Sequence, residues 1–250
     1  MDSPNFLVWN VRGLNKRARR DNVRKVVDSC RPAVVCLQET KLAHISLWDV
    51  MSILGRDFQK FVFLPAQGTH GGILVAWHDG VFEADVWRIQ QHSVSVKFKS
   101  CNEHVWWFTG VYGPHQDAEK IAFLDEIREV RANCGGPWMM AGDFNMIYLA
   151  EDKNNENLNR AMMGRFRRLV NDLELKEIPL MGRRYTWSNE RDAPTLVKLD
   201  RVLCTADWEA LYPECILQSE ATDSYSVSRK EFKAKRDFTL RVSGPSLRAS

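Results

Sequence analysis

The chain has 250 residues, 44% hydrophobic and 27% charged, with 9 Trp and 12 Phe, which excludes a disordered or fibrous protein and leaves room for a sizeable core. A formal net charge of +3 permits a polyanionic partner without demanding one, since phosphate binding depends on where the bases lie. The six cysteines form no CxxC pair and have no histidine at zinc-ligand spacing, so they are expected as reduced thiols. At the N-terminus Asp2 stands where a signal peptide carries a base, and no apolar run reaches transmembrane length, so the expected compartment is cytosol or nucleus, with no membrane partner.

Phe6 to Trp9 reads as a short buried strand and Asn10 to Asn15 as the loop leaving it. Val23, Val26, Val27 and Cys30 recur at helical spacing until Arg31-Pro32 stops the helix. Ala33 to Leu37 is a continuous apolar strand that delivers Gln38-Glu39-Thr40. A short helical pattern, Ile45 to Leu54, precedes strand-like runs at Phe61 to Leu64, Gly72 to Trp77, Val81 to Ile89, Val94 to Phe98 and Val105 to Val111, expected to form one mostly antiparallel sheet. Gln116 to Ala132 is an amphipathic helix with Ile121, Leu124, Ile127 and Val130 on one stripe.

Pro137 to Ala141 is an apolar strand running into Gly142-Asp143-Phe144-Asn145. Asp143 and Asn145 would share a face if the strand continued; an Asx-type turn is the plainer reading. A polar loop (Glu151 to Asn159), a helix near Met162 to Leu173, strands at Tyr185 to Ser188 and Thr195 to Leu203, and a helical turn at Asp207 to Tyr212 follow. Beyond Thr222, Ser224 to Ser228 and Phe238 to Val242 are candidate strands around a basic stretch. No repeat or linker divides the chain. Interleaved strands and helices with carboxylate and amide residues at strand ends predict an α/β sandwich with a site along one rim.

Five segments, Trp9-Asn10-Val11-Arg12-Gly13-Leu14, Leu37-Gln38-Glu39-Thr40-Lys41, Val111-Tyr112-Gly113-Pro114, Gly142-Asp143-Phe144-Asn145 and Leu199-Asp200-Arg201-Val202-Leu203, together resemble the endonuclease/exonuclease/phosphatase superfamily, the fold of apurinic endonucleases, exonuclease III and DNase I. Asn-Val-Arg-Gly-Leu, Gln-Glu-Thr-Lys and Tyr-Thr-Trp-Ser-Asn are closest in kind to endonuclease domains of LINE-type, non-LTR retrotransposons of plants. The resemblance spans roughly residues 5 to 223. It implies one such domain over 1–223, with 224–250 a divergent basic C-terminal tail. It also implies an α/β four-layer sandwich, two central mixed sheets packed face to face and flanked by helices, bearing a Mg²⁺- or Mn²⁺-dependent phosphodiesterase site.

Position by position, the resemblance makes Glu39 the metal-binding glutamate, with Asn10 supporting metal and phosphate and Asp223 a further ligand. Asp143 matches the water-orienting aspartate, Asn145 an amide donor to phosphate, Tyr112 a phosphate-contacting phenol, and Asp200 the aspartate that buttresses a histidine. By themselves Glu39 is a solvated strand-end acid and Tyr112 a half-buried packing residue. Where the family has that histidine this chain has Ser224, which implies reduced activity. The basic run that follows is expected to leave the last strand of one sheet missing or replaced.

His115 reads as an exposed loop histidine, and His44, His70, His78, His92 and His104 belong to no motif. Arg12, Lys41, Arg183, Arg184 and Trp187 flank the motifs and are the candidate nucleic-acid contacts, for a monomer acting on DNA, with RNA as the other polyanion. Two functions stay open: a metal-dependent endonuclease of retrotransposon origin with weakened activity, and an inactive nucleic-acid-binding or transposon-remnant domain keeping only the fold.

Overall fold

The computed structural model of the chain describes residues 5–67, 71–218 and 238–243. Asp223, Ser224 and the candidate strand Ser224 to Ser228 lie outside them. In chain order the elements are β1 (Asn5–Asn10), α1 (Arg17–Cys30), β2 (Val34–Gln38), α2 (Leu47–Leu54), β3 (Lys60–Leu64), β4 (Ile73–Trp77), β5 (Phe82–Ile89), β6 (Ser93–Ser100) and β7 (Val105–Tyr112). Then follow α3 (Asp117–Asn133), β8 (Trp138–Asp143), α4 (Arg160–Asp172), β9 (Lys176–Glu177), β10 (Leu180–Met181), β11 (Trp187–Ser188), β12 (Leu196–Val197), β13 (Asp200–Cys204), α5 (Ala206–Leu211), β14 (Glu214–Gln218) and β15 (Phe238–Ser243).

Two mixed sheets make the two central layers. One runs β10-β14-β15-β1-β2-β4-β3 and the other β5-β6-β7-β8-β13-β9, with β11 and β12 forming a separate hairpin. Alternation along each strand explains the layering. Phe6 and Val8 of β1 point between the sheets, with Met139 and Ala141 of β8 and Val202 of β13. Leu7 and Trp9 point the other way, into a core beneath α1 and α2, while Trp138 and Met140 face α3 and α4. The result is the expected α/β four-layer sandwich. The sheets approach closely where Gly110 faces Cys36: a Cβ on Gly110 would fall 2.4 Å from the Cys36 Sγ.

Local chemistry sets the helix ends. Arg31 closes α1 in the left-handed region (φ 45°), its N–H bonded to the Val27 carbonyl at 2.8 Å, and Pro32 cannot continue the helix. At α2 the Ser46 hydroxyl accepts from the Asp49 N–H at 3.2 Å while Asp49 accepts from the Ser46 N–H at 3.0 Å, a reciprocal capping box. Trp208 of α5 is fully buried and meets Trp106 with ring centroids 5.9 Å apart, closing the end of the sandwich away from Tyr112 and Asp200.

Three expectations change in detail. The middle strands do not form one sheet: β3 and β4 finish the first, and β5, β6 and β7 begin the second. The buried stripe of α3 is Phe123, Leu124, Ile127 and Val130, whereas Ile121 is 42% exposed, because a helix turn places Phe123 rather than Ile121 over the sheet. The run Thr195 to Leu203 splits into β12 and β13, since the Lys198 N–H turns to the Asp152 carbonyl (2.7 Å) and that of Leu199 to the Thr186 hydroxyl (3.0 Å). The candidate strand Phe238 to Val242 is present. β15, from within 224–250, pairs antiparallel with β1 on one side and β14 on the other. Among the described residues no helix is long and apolar enough to cross a membrane.

Candidate active site

Register brings the candidate residues to one rim. β1 and β2 run parallel with Asn10 opposite Gln38, so Asn10 and Glu39 leave the first sheet side by side. In the second sheet β7 and β8 are parallel with Tyr112 opposite Asp143, and β13 lies antiparallel to β8 with Asp200 opposite Asp143. The Asn10 Nδ2 donates to Asp143 Oδ2 at 3.0 Å and so ties the two sheets together at this rim. The Asn145 N–H donates to Asp143 Oδ1 at 2.9 Å, so each carboxylate oxygen has a donor. Asn145 Nδ2 reaches the Gly113 carbonyl at 2.6 Å.

The backbone here is unusual. Arg12, Glu39, Lys41 and Asn145 all have positive φ, 51°, 53°, 56° and 50°, a region that non-glycine residues seldom occupy. Such conformations persist where surrounding bonds over-determine them. Gly13 N–H binds the Glu39 carbonyl (2.7 Å), Leu14 N–H that of Thr40 (2.8 Å), and Arg12 N–H the Asn10 Oδ1 (3.2 Å). Gly142, at φ 145°, precedes Asp143 because a Cβ there would lie 2.1 Å from the Val111 carbonyl oxygen.

Burial dominates the electrostatics. It raises the Asp143 carboxyl, and the Glu39 charge adds to the rise, while the Asn145 N–H, the Asn10 amide and His115 oppose it. Asp200, only 8% exposed, is held well above the usual carboxylate range by burial and then by Asp143, against the pull of Thr186, Arg12 and Arg201. Two buried carboxyls at paired positions therefore hold a proton to higher pH than either would alone. Burial also raises the Tyr112 phenol, with Glu39 and Asp143 adding to it, so Tyr112 stays a donor.

Behind this rim Arg201, 1% exposed, forms ion pairs with Asp152 and with Glu177 (2.6 Å) and donates to the Lys198 carbonyl (3.2 Å). Asp152 in turn accepts from the N–H groups of Tyr148 (2.7 Å) and Leu149 (2.6 Å). The Thr186 hydroxyl accepts from the N–H groups of Leu199 and Asp200, both at 3.0 Å, which moors the β11–β12 hairpin beside Asp200.

The structure thus gathers Asn10, Glu39, Tyr112, Asp143, Asn145 and Asp200, with Arg12 and Lys41 on the adjoining loops. Lys41 Nζ lies 3.0 Å from Glu39 Oε1. Arg183, Arg184 and Trp187 stand apart on the hairpin, around a separate cavity of about 200 Å³, where Arg184 pairs with Glu151 at 3.6 Å and lies over the Tyr185 ring. Asp200 has no histidine partner among the described residues; its neighbours are Thr186, Arg201 and Asp143. His115, expected as an exposed loop histidine, has its Nε2 3.2 Å from the Tyr112 hydroxyl. Its only signal in the sequence is its place in Tyr-Gly-Pro-His. Thr186 lies inside the Tyr-Thr-Trp motif with no local signal of its role, and nothing local marks Arg201 as buried.

Among the described residues no group of three or more His, Cys, Asp or Glu is placed to hold a metal ion. Glu39 and Asn10 offer carboxylate and amide oxygens only, a donor set that fits a hard cation such as Mg²⁺ or Mn²⁺ rather than a thiophilic one.

The fold has well-matched counterparts. The AP endonuclease LMAP from Leishmania major is 15% identical, covering 98% of this chain and 89% of that one, with a TM-score of 0.70. The endonuclease domain of TRAS1, a telomere-specific non-LTR retrotransposon, is 15% identical over 96% of this chain and 99% of that one, TM-score 0.67. An AP endonuclease from Archaeoglobus fulgidus is 13% identical over 95% and 97%, TM-score 0.65. No curated protein sequence matches significantly. The sequence model of the Endonuclease/Exonuclease/phosphatase family matches residues 7–226. That span takes in Asn10, Glu39, Tyr112, Asp143, Asn145 and Asp200, and the chain belongs to the endonuclease/exonuclease/phosphatase family.

Proposed function

We propose that the protein is a divalent-metal-dependent phosphodiester hydrolase that nicks DNA, descended from a LINE-type retrotransposon endonuclease and weakened by Ser224. The observation that carries this reading is the Asn10–Asp143 hydrogen bond, which joins the two sheets at the one rim where Glu39, Tyr112, Asn145 and Asp200 also meet. The family is generally divalent-metal dependent. A cation held by Glu39, Asn10 and Asp223 would offset charge on the phosphoryl and leaving oxygens.

Asp143 orients a water and takes its proton as the water oxygen bonds to phosphorus and the ester P–O bond breaks. Its raised carboxyl suits that task, because a base acts best when its proton affinity approaches the working pH. Asn10 fixes the orientation of the carboxylate. Tyr112 donates to a nonbridging oxygen, and Asn145 uses the amide hydrogen that Gly113 leaves over. Arg12 and Lys41 hold the flanking phosphates, with Arg183, Arg184 and Trp187 reaching the strand from the hairpin.

The second reading, a nucleic-acid-binding domain without turnover, draws support from Ser224 and from the Lys41–Glu39 ion pair, which already offsets charge on the glutamate a metal would need. Nicking of supercoiled plasmid with Mg²⁺ or Mn²⁺ separates the two. Slow nicking is expected, lost in Asp143→Ala and quickened by Ser224→His. Nicking untouched by Asp143→Ala would overturn the assignment, and none by either the unaltered or the Ser224→His chain, with DNA still bound, would favour the second reading.

A further inference from the structure

The helices α3 and α4 form the outer layer over the second sheet and lie side by side in the same direction. Asn159, the N-cap of α4, donates its amide to Asp117 at the start of α3 (2.7 Å), and the Arg128 guanidinium of α3 reaches Asp172 at the end of α4 (3.3 Å). Residues 42 to 44 apart in sequence therefore stand at one height along the pair. A cavity of about 90 Å³ lies in the furrow between them, lined by Ile121, Leu124, Asp125, Arg128, Arg165 and Arg168.

Helical periodicity turns two unlike ridges outward. On α3 the exposed ridge is Ala118, Ala122, Asp125 and Glu129; on α4 it is Ala161, Gly164 and Arg168, with Arg160 and Arg167 on its flank. The first ridge is acidic and the second basic. Among the described residues the side chains of Arg160, Arg165, Arg167 and Arg168 have no hydrogen-bond or ion-pair partner. Gly164 is a second mark on this face. A glycine inside a helix weakens it, yet this one has no positive φ, and no described atom lies within 4 Å of where its Cβ would stand. Nothing it packs against in the described chain requires a bare backbone there, whereas a helix approaching from outside would.

A two-fold axis parallel to the helices, above the furrow, lays the α3 of a second copy on α4 and its α4 on α3. At equal heights Ala118 then meets Ala161, Ala122 meets Gly164, and Asp125 meets Arg167 and Arg168. An axis across the helices would set one arginine ridge on the other, so the charge pattern selects the first. We propose that this face docks a second copy of the chain in that isologous manner. Small residues let the two helix pairs approach, Ile121 of each copy settles over the furrow of the other, and two sets of opposite charges fix the register. Helices of 17 and 13 residues give a contact of modest size, which suits a reversible dimer strengthened at low salt. Because both helices start at the end of the sandwich that carries Tyr112, this axis turns the two rims to the same side.

Sedimentation velocity of the full chain, freed of nucleic acid, tests the pairing. The weight-average mass of the unaltered chain should climb toward twice that of one chain as concentration rises, and less so in high salt. Asp125→Arg alone, and Arg167→Asp with Arg168→Asp, should each weaken association at least about ten-fold, since like charges then face each other twice. Mixed in equal amounts the two variants should pair again, because each supplies the charge that the other lacks. Gly164→Gln should keep a Tm no lower than that of the unaltered chain and still associate about ten-fold less, its side chain holding the helices apart. An unaltered chain that stays monomeric, variants that associate as it does, or a mixture of folded variants that does not pair would each overturn the dimer.

Discussion

Replacing Arg201 by Met keeps much of the side chain's length and removes its charge. The guanidinium is 1% exposed and serves Asp152 and Glu177 at once, with side chains 7% and 20% exposed. Taking one partner from a buried ion pair costs about 3–5 kcal/mol, because the other charge stays buried. Here the remaining acids keep some company: Asp152 retains two backbone N–H donors and Glu177 retains Lys198 Nζ at 2.8 Å. Arg201 also has a buried Nε without a partner, so the native arrangement already carries a cost.

The lower end, about 3 kcal/mol, is therefore expected, which for a chain of this size lowers Tm by about 6–12 °C. Thermal unfolding followed by circular dichroism, with urea titration alongside, measures it. Arg201→Met combined with Asp152→Asn and Glu177→Gln should recover part of the loss, since both acids lose their charge and only Lys198, its side chain 16% exposed, is left without a partner acid. A single variant within about 1 °C of the parent would refute the reasoning, and so would a triple variant as unstable as the single. The same loss removes a positive charge that favours ionised Asp200, so the substitution also reaches the rim.

Three further outcomes follow from the structure. Gly142→Ala forces a Cβ to 2.1 Å from the Val111 carbonyl at a φ that side chains avoid; a loss of about 2–6 kcal/mol is expected, and a Tm change under about 2 °C would refute it. Asp143 and Asp200 have carboxyls raised on folding, so the folded state binds more protons than the unfolded one, and stability falls as pH rises from their ordinary value through the raised ones. Asp200→Asn should accordingly raise Tm more at pH 8 than at pH 4; an equal gain at both would contradict the linkage. Burial pushes the thiols of Cys36, Cys204 and Cys215 to about 12 and that of Cys134 to about 11, whereas Cys101 is exposed, so Cys101 should react with a disulfide reagent ahead of the others. Simultaneous reaction of all six in native buffer would argue against this packing.

What could be read from the sequence was what local pattern encodes. Val34 to Leu37 is a covered strand in any context, and Gly-Asp-Phe-Asn at a strand end announces a site once four other motifs accompany it. The allotment of strands to sheets was not legible, because β5 follows β4 through a short turn, as a hairpin partner would, yet it pairs with β6 while β4 pairs with β2 and β3. Arg201 looks like any charged residue in Leu-Asp-Arg-Val-Leu; the acids that bury it lie 49 and 24 residues away. His115 escaped for the same reason, its significance resting on a Tyr112 hydroxyl that only the turn through Gly113-Pro114 brings within reach.

The contact of Gly110 with Cys36 sits between the strands that carry Tyr112 and Glu39, one jaw of the rim on each sheet. The gap between those jaws is gauged in the dry interior, at a place no substrate touches. A single added methyl there would act as a shim, opening the caliper that Asn10 and Asp143 close. The chemistry at the surface is therefore calibrated by a close approach inside the core.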